Sequence, residues 1–306
     1  MIKLTNEEIK KEYLSLLKEF INFCTKNNLR YSLDGGTLIG ALRHKGFIPW
    51  DDDIDVMMPR EDYEKFSKLF KSDKCYILDV NHNRFMFPPM GKLVSIRTKI
   101  IPSENDSHYK CCKNIGLNID IFPLDFIPEN EWFYYEKQHI DYKAISKLHF
   151  MHHKPYLWKP IKNKVDKIIV LFMLPFSLIR SFTYKHLIGF EKYYLKTRKV
   201  QKPIYHISCY PAGSKVNDKN EVVLSTRIGN YYGINQCFER ACDISDFDKL
   251  ITVKFEGLDC KTIPSYENHL NTYYNIKWKE LPPKEYQIPL HVKACFWRKG
   301  FEPKIK

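Results

Sequence analysis

Four aspartates fall within five positions in Trp50-Asp51-Asp52-Asp53-Ile54-Asp55-Val56, a few residues after the glycine pair Gly35-Gly36. An acidic run at a surface is ordinarily solvated and inert. This one ends in alternation, because Asp53 and Asp55 are separated by Ile54 and followed by Val56-Met57-Met58, the pattern of a strand. A two-residue period puts both carboxylates on one face. Neighbouring carboxylates repel unless a cation lies between them, and oxygen-rich pairs suit Mg²⁺ held jointly with phosphate. The predicted chemistry is therefore phosphate-group transfer with Asp53 and Asp55 as metal ligands. Asp120 lies in a second alternating stretch, Gly116-Leu117-Asn118-Ile119-Asp120-Ile121-Phe122. It is the candidate third carboxylate, either completing the metal site or taking a proton from an attacking hydroxyl. Asp125, after Pro123, is the reserve, with a turn cap as its plainer reading. Two metal ions can stabilise the attacking and leaving oxygens of an in-line displacement, and positioning and electrostatics supply most of the rest.

Gly35-Gly36-Thr37 falls between a predicted strand and a predicted helix, where backbone N–H groups can cradle phosphate. Arg43, within Arg43-His44-Lys45, and Lys92 are candidate phosphate contacts. Arg97 is a weaker one, because its odd spacing from Lys92 sets the two on opposite faces of a regular strand. Neither the GxxxxGK[ST] loop nor a GxGxxG turn after the relevant strand is present, which argues against ATPase and nicotinamide chemistry. His152-His153 lacks zinc-site spacing. The Tyr and Trp residues form no aromatic-basic nucleic-acid motif, so no nucleic-acid partner is expected.

The elements that must position these residues alternate between helix and strand. Thr5 and Glu8 form a capping box for a helix to about Lys26, with Ile9, Tyr13, Leu16, Leu17, Phe20, Ile21 and Cys24 on one face. Strands are predicted at Leu29–Leu33, Asp53–Met57, Tyr76–Val80, Lys92–Arg97 and Leu117–Phe122, with a short helix through Leu42 after the break at Asp34-Gly35-Gly36 and another helix from about Glu61 to Phe70. The pattern predicts an α+β (α/β-like) core with helical and C-terminal elaborations. The chain has 306 residues and a formal net charge of +13, which favours anionic partners. Its nine cysteines show no disulfide or metal spacing, and the N-terminus lacks the apolar stretch of a secretory leader. A cytoplasmic protein is expected. Composition divides the chain into a catalytic core at 1–128, a basic and largely helical insertion at 129–202, and a C-terminal elaboration at 203–306 that completes the substrate site. In the insertion, the apolar run 168–179 is too short to span a bilayer, which takes about 20 residues. Its basic flanks fit peripheral contact with an anionic membrane at the inner face of the cell, or a core helix with a solvated surround.

The stretch Leu33-Asp34-Gly35-Gly36-Thr37-Leu38-Ile39-Gly40-Ala41-Leu42-Arg43-His44-Lys45-Gly46-Phe47-Ile48-Pro49-Trp50-Asp51-Asp52-Asp53-Ile54-Asp55-Val56 resembles the signature of the LicD family of phosphocholine transferases, which is related to fukutin-related proteins. Asp62-Tyr63, Asp120 to Asp125, Phe255-Glu256-Gly257, Pro264, Tyr266–Tyr274, Pro282-Pro283 and His291 fit the same pattern. Tyr273-Tyr274 departs from it, standing where a Tyr-Gly pair is expected. The resemblance implies a nucleotidyltransferase-like core, a mixed sheet flanked by helices, with Gly35-Gly36 and Asp53/Asp55 at its mouth. It implies Mg²⁺ (Mn²⁺ as the alternative ion) on Asp53, Asp55 and Asp120, and CDP-choline or another CDP-alcohol as donor. The implied acceptor is a hydroxyl of a cell-surface glycan, such as teichoic acid, lipopolysaccharide or capsule, or of its lipid-linked precursor. Gly35, Gly36, Thr37, Arg43 and Lys92 would line the donor site. Asp51 and Asp52 belong to the signature, but strand geometry does not make both of them ligands. Two alternatives stand beside this reading: a nucleotidyltransferase that moves a nucleotide to a sugar or phosphosugar, and a catalytically silent glycan- or lipid-binding component.

Overall fold

A computed structural model describes residues 1–79, 82, 90–103, 114–126, 215–216, 222–223, 227–229, 242–274 and 276–302. In chain order these form α1 (Asn6–Lys26), β1 (Ser32–Leu33), α2 (Gly35–Arg43), β2 (Asp55–Pro59), α3 (Arg60–Leu69), β3 (Cys75–Leu78), β4 (Gly91–Ser95), β5 (Thr98–Pro102), β6 (Asn118–Phe126), β7 (Lys215–Val216), β8 (Val222–Val223), β9 (Arg227–Gly229), β10 (Cys242–Asp243), β11 (Ile251–Phe255), β12 (Leu258–Thr262), α4 (Tyr266–Tyr274) and β13 (Val292–Trp297). The chain divides into two compact units, Met1–Ile127 with Thr226–Lys306, and Pro128–Ser225. Residues 203–225, which composition groups with the C-terminal elaboration, fall in the second unit. Within that unit only the short antiparallel pair β7–β8 is described. The basic segment 137–202 and the apolar run 168–179 lie outside the described residues. No described helix is long and apolar enough to cross a membrane.

The first unit is α+β and built on a mixed sheet. The order is β1-β2-β6-β4-β3, and β9 and then β10 continue from the end of β6. Strands β2 and β6 run parallel, while β1–β2, β6–β4 and β4–β3 are antiparallel. Separate antiparallel pairs join β11 to β12 and β13 to β5.

Helix α1 starts where its capping box predicts. The Thr5 hydroxyl accepts from the Glu8 amide at 3.2 Å, and the Glu8 carboxylate accepts from the Thr5 amide at 2.7 Å. Its apolar face packs on β4 and β6, burying Tyr13, Leu16, Leu17, Phe20 and Cys24. Phe20 meets the edge of Tyr31 at 5.0 Å and lies 5.1 Å from Phe66, so an aromatic layer joins α1 to α3. Glu12 is buried on the same helix but not unsatisfied: it accepts from Ser95 Oγ at 2.6 Å and pairs with Arg97 at 3.3 Å. Arg97 also stacks on Trp297. It therefore braces α1 against β13, consistent with its facing away from Lys92.

Phe20 has no exposure. Replacing it with Ala should cost about 3–5 kcal/mol, the range for truncating a fully enclosed aromatic. The urea midpoint should fall with little change in slope; an unchanged midpoint would contradict this account of the core.

Candidate active site

Asp55 and Asp120 are direct neighbours across the parallel β2–β6 pair, as the first residue of one strand and the third of the other. Parallel register sets their side chains side by side on one face. The ladder continues one step beyond β2, with Asp120 N–H donating to the Ile54 carbonyl at 2.8 Å. The strand predicted from Asp53 begins only at Asp55. Residues 51–54 are irregular, held by Tyr13 Oη on the Asp52 carbonyl at 2.7 Å and by the Asp51 amide on Ile48 O at 3.0 Å. Alternation therefore does not govern this run, and Asp51, set aside on strand geometry, turns to hydrogen-bond Asp53 side chain to side chain. Sequence reasoning passed over a signal that was present, because Asp51, two residues from Asp53 and four from Asp55, shares their face in any strand reading.

The glycine pair makes room for these carboxylates. Gly35 has φ +53°, a left-handed value that disfavours side chains, and a Cβ there would stand 2.8 Å from Asp55 Oδ2. A Cβ on Gly36 would stand 2.6 Å from Asp51 Oδ2. The start of α2 thus lies directly against the acidic cluster, where its amide end carries positive partial charge. Asp34 caps the helix by accepting from Gly35 N–H at 2.8 Å. Thr37 is buried, and its hydroxyl accepts from the Asp55 amide at 2.9 Å, fixing the backbone that presents the carboxylate.

Among the described residues, two cationic or ionisable side-chain nitrogens reach the cluster. Lys92 on β4 is opposite Asp120 and fully enclosed; its ammonium donates to Asp120 at 2.5 Å and to Asn118 Oδ1 at 3.1 Å. His291 Nε2 lies 3.1 Å from Asp53 Oδ2. The structure does not bring Arg43 to the cluster. It ends α2, about 12 Å along the axis from Gly35 at 1.5 Å per residue, and donates to the carbonyls of Trp278 and Glu280 at 3.0 and 2.7 Å. The backbone of Asp125 pairs with Gly229 beyond the cluster, and its side chain lies outside the described set.

The C-terminal third frames the mouth. His269 on α4 is buried, with Nε2 2.7 Å from Asp34 Oδ1, so α4 holds the cap of α2. Tyr274 places its hydroxyl 3.6 Å from where a Gly35 Cβ would be. The β11–β12 hairpin turns at Glu256 and Gly257, both with positive φ, and Glu256 accepts from Phe47 N–H at 3.1 Å, bracing the loop after α2.

Electrostatically the cluster is short of positive charge. Burial pushes the Asp51 carboxyl up to about 8, with the Asp53 charge adding to the shift. Burial raises Asp53 to about 6, opposed by His291. Asp55 is pushed well above the carboxylate range by burial, then by the charges of Asp53 and Asp120. Asp51 and Asp55 therefore hold protons at neutral pH unless a cation replaces them, whereas Asp53 gives its proton up near pH 6. Among the described residues no group of three or more His, Cys, Asp or Glu side chains is arranged to hold a metal ion as it stands. The donor set is nonetheless all oxygen and its charge is uncompensated, which suits a hard divalent cation. Asp53, Asp55 and Asp120 are the side chains that would hold it.

Residues 28–161 match the family described as LicD/FKTN/FKRP, nucleotidyltransferase domain. That span contains the glycine pair, the aspartate run and Asp120. The chain is 29% identical over 303 residues, 97% of its own length and 99% of the relative's, to the lipopolysaccharide cholinephosphotransferase LicD of Haemophilus influenzae. It is 34% identical over 116 residues to the uncharacterised protein RT0683 of Rickettsia typhi, covering 38% of this chain and 35% of that one. A shorter stretch of 51 residues, 17% of this chain and 10% of the relative, is 39% identical to the human ribitol 5-phosphate transferase FKRP. With the register of Asp55 and Asp120 and the glycine cradle beside them, these likenesses identify residues 28–161 as a domain of the LicD type.

Proposed function

We propose that this protein transfers a phosphoalcohol, phosphocholine first among the candidates, from a CDP-linked donor to a hydroxyl of a cell-surface glycan or its lipid-linked precursor. The observation that carries the reading is the side-by-side placement of Asp55 and Asp120 on parallel strands, with Asp53 beside them, in a chain that aligns over 97% of its length with a cholinephosphotransferase. Transfer between hydroxyls and phosphates is the chemistry its named relatives share.

Mg²⁺, or Mn²⁺ in its place, would neutralise the donor diphosphate and the developing charge on the leaving phosphate. Asp53 and Asp55 would hold such an ion, and Thr37 and the glycine pair fix the backbone around Asp55. The acceptor oxygen attacks the phosphorus that bears the alcohol, and the bond from that phosphorus to the CMP oxygen breaks. Asp120 takes the hydroxyl proton or shares the metal. Lys92 keeps positive charge beside Asp120 from within the sheet, so its contribution is to the carboxylate more than to the donor phosphates. The basic segment 137–202 would meet an anionic membrane surface where a lipid-linked acceptor resides.

A panel of CDP-alcohols incubated with Mg²⁺ and candidate glycans tests the reaction. CMP should be released as the glycan gains the phosphoalcohol. A glycan carrying the nucleotide would instead establish nucleotidyl transfer, and no product with any donor would favour the silent binding component. Asp55→Asn should lower turnover by more than about 10²-fold, the scale for losing a charge-stabilising group. The same substitution should leave the metal-free melting temperature unchanged or higher, since Asn needs no proton to stand beside Asp53 and Asp120. Retained turnover would reject Asp55 as a ligand.

The carboxylate shifts also fix a pH dependence. In the unfolded chain these groups release protons near pH 4, whereas in the folded protein Asp53 and Asp51 hold them to about 6 and about 8. The folded state therefore binds more protons across that window, and metal-free stability falls as pH rises through it. A cation that replaces those protons should raise the melting temperature more at pH 8 than at pH 6. Equal Mg²⁺-induced increments at both pH values would count against this site.

A further inference from the structure

Asp52 lies between two members of the acidic cluster and yet engages a segment from the far end of the chain. Its carboxylate accepts from Leu290 N–H at 3.2 Å, from His291 N–H at 3.0 Å and from Val292 N–H at 2.8 Å, across 238 to 240 residues of sequence. The His291 carbonyl is held as well, accepting from Ser103 N–H at 2.9 Å. Both backbone polar groups of His291 are thus fixed. Its imidazole is one-third exposed and stands 3.1 Å from Asp53.

This grip falls where the strand ladder gives least support. Strand β13 begins at Val292, and its pairing with β5 is irregular between Val292 and Ala294. Before it, residues 287–291 have no regular structure, and Ile288 and Leu290 are 53% and 60% exposed. A carboxylate that collects successive amides can fix such a segment, because charge-assisted hydrogen bonds are the stronger kind.

We propose that Asp52 is a positioning residue of the active site, acting through His291, whose imidazole it holds beside Asp53 to donate a hydrogen bond to the phosphate bound there. The kinetic part of this inference rests on the phosphoalcohol-transfer reading; the structural part does not.

Two measurements on the full chain test it. In hydrogen exchange, the amides of 290–292 should lose protection in Asp52→Ala and, in part, in Asp52→Asn, which keeps one acceptor oxygen, while the melting temperature of the Asn variant stays near wild type. In turnover of the best CDP-alcohol, His291→Ala and Asp52→Ala should each lose about 10- to 100-fold, the range for outer partners of a metal site. The double variant should lose no more than His291→Ala alone, because the two act as one unit. Unchanged exchange at 290–292 overturns the proposal, as does full turnover in His291→Ala. Losses that multiply in the double variant also overturn it, since they would make Asp52 a general stabiliser. If the wild-type chain turns over no CDP-alcohol, the functional reading fails, and exchange alone then decides whether Asp52 holds His291.

Discussion

Like charges brought together out of water repel, and around Asp51, Asp53, Asp55 and Asp120 the fold does so deliberately. Each neighbouring feature answers that repulsion. Lys92 is drawn fully into the sheet to stand against Asp120, His291 is brought from the other end of the chain to Asp53, and Asp51 has its proton affinity raised by burial and by Asp53. The amide end of α2 contributes partial positive charge, and its two glycines allow the carboxylates to approach. What remains uncompensated is the part of the charge a cation would meet. Gathering the carboxylates in this way costs stability, as arrangements at functional sites commonly do.

The compensation depends on contacts between segments far apart in sequence. Glu256 braces the loop after α2, His269 holds the Asp34 cap, Arg43 grips the backbone at Trp278 and Glu280, and Asp52 gathers the amides of 290–292. The C-terminal third is consequently less an appendage than the outer wall of the site. This also explains why recognisable motifs recur so late in the chain. Phe255-Glu256-Gly257, the Tyr266–Tyr274 stretch and His291 each touch the glycine–aspartate framework or a residue that supports it.

Much of this was legible in the sequence, for identifiable reasons. Local signals worked where local physics dominates: the Thr5–Glu8 box started α1, and Gly35-Gly36 opened α2. The alternation around Asp120 placed a strand there and nominated it as a neighbour of Asp55, although β6 runs on to Phe126. Reading failed where tertiary contacts override the period. Residues 51–54 leave the predicted strand because Tyr13 and Ile48 hold their backbone, which no local pattern encodes, although the spacing of Asp51 from Asp53 already pointed to the cluster. Arg43 and Lys92 were chosen for charge alone. Their partners, backbone carbonyls in one case and a buried carboxylate in the other, belong to segments whose proximity is fixed only by the fold. His291 carried a motif signal but no role until its distance to Asp53 was known.

The pairing of β5 with β13 has a consequence for how the protein comes into being. A chain emerging from the ribosome folds its N-terminal portions first, at about 5–20 residues per second. Strand β5 leaves early, but its partner is made almost two hundred residues later. Until then β5 has an unpaired edge, Asp52 has no amides to collect, and Asp53 lacks its imidazole. The nascent protein therefore carries an exposed strand and an unbalanced knot of negative charge through most of its synthesis. Chaperone demand and completion of the cluster should both follow the arrival of β13 and the residues just before it.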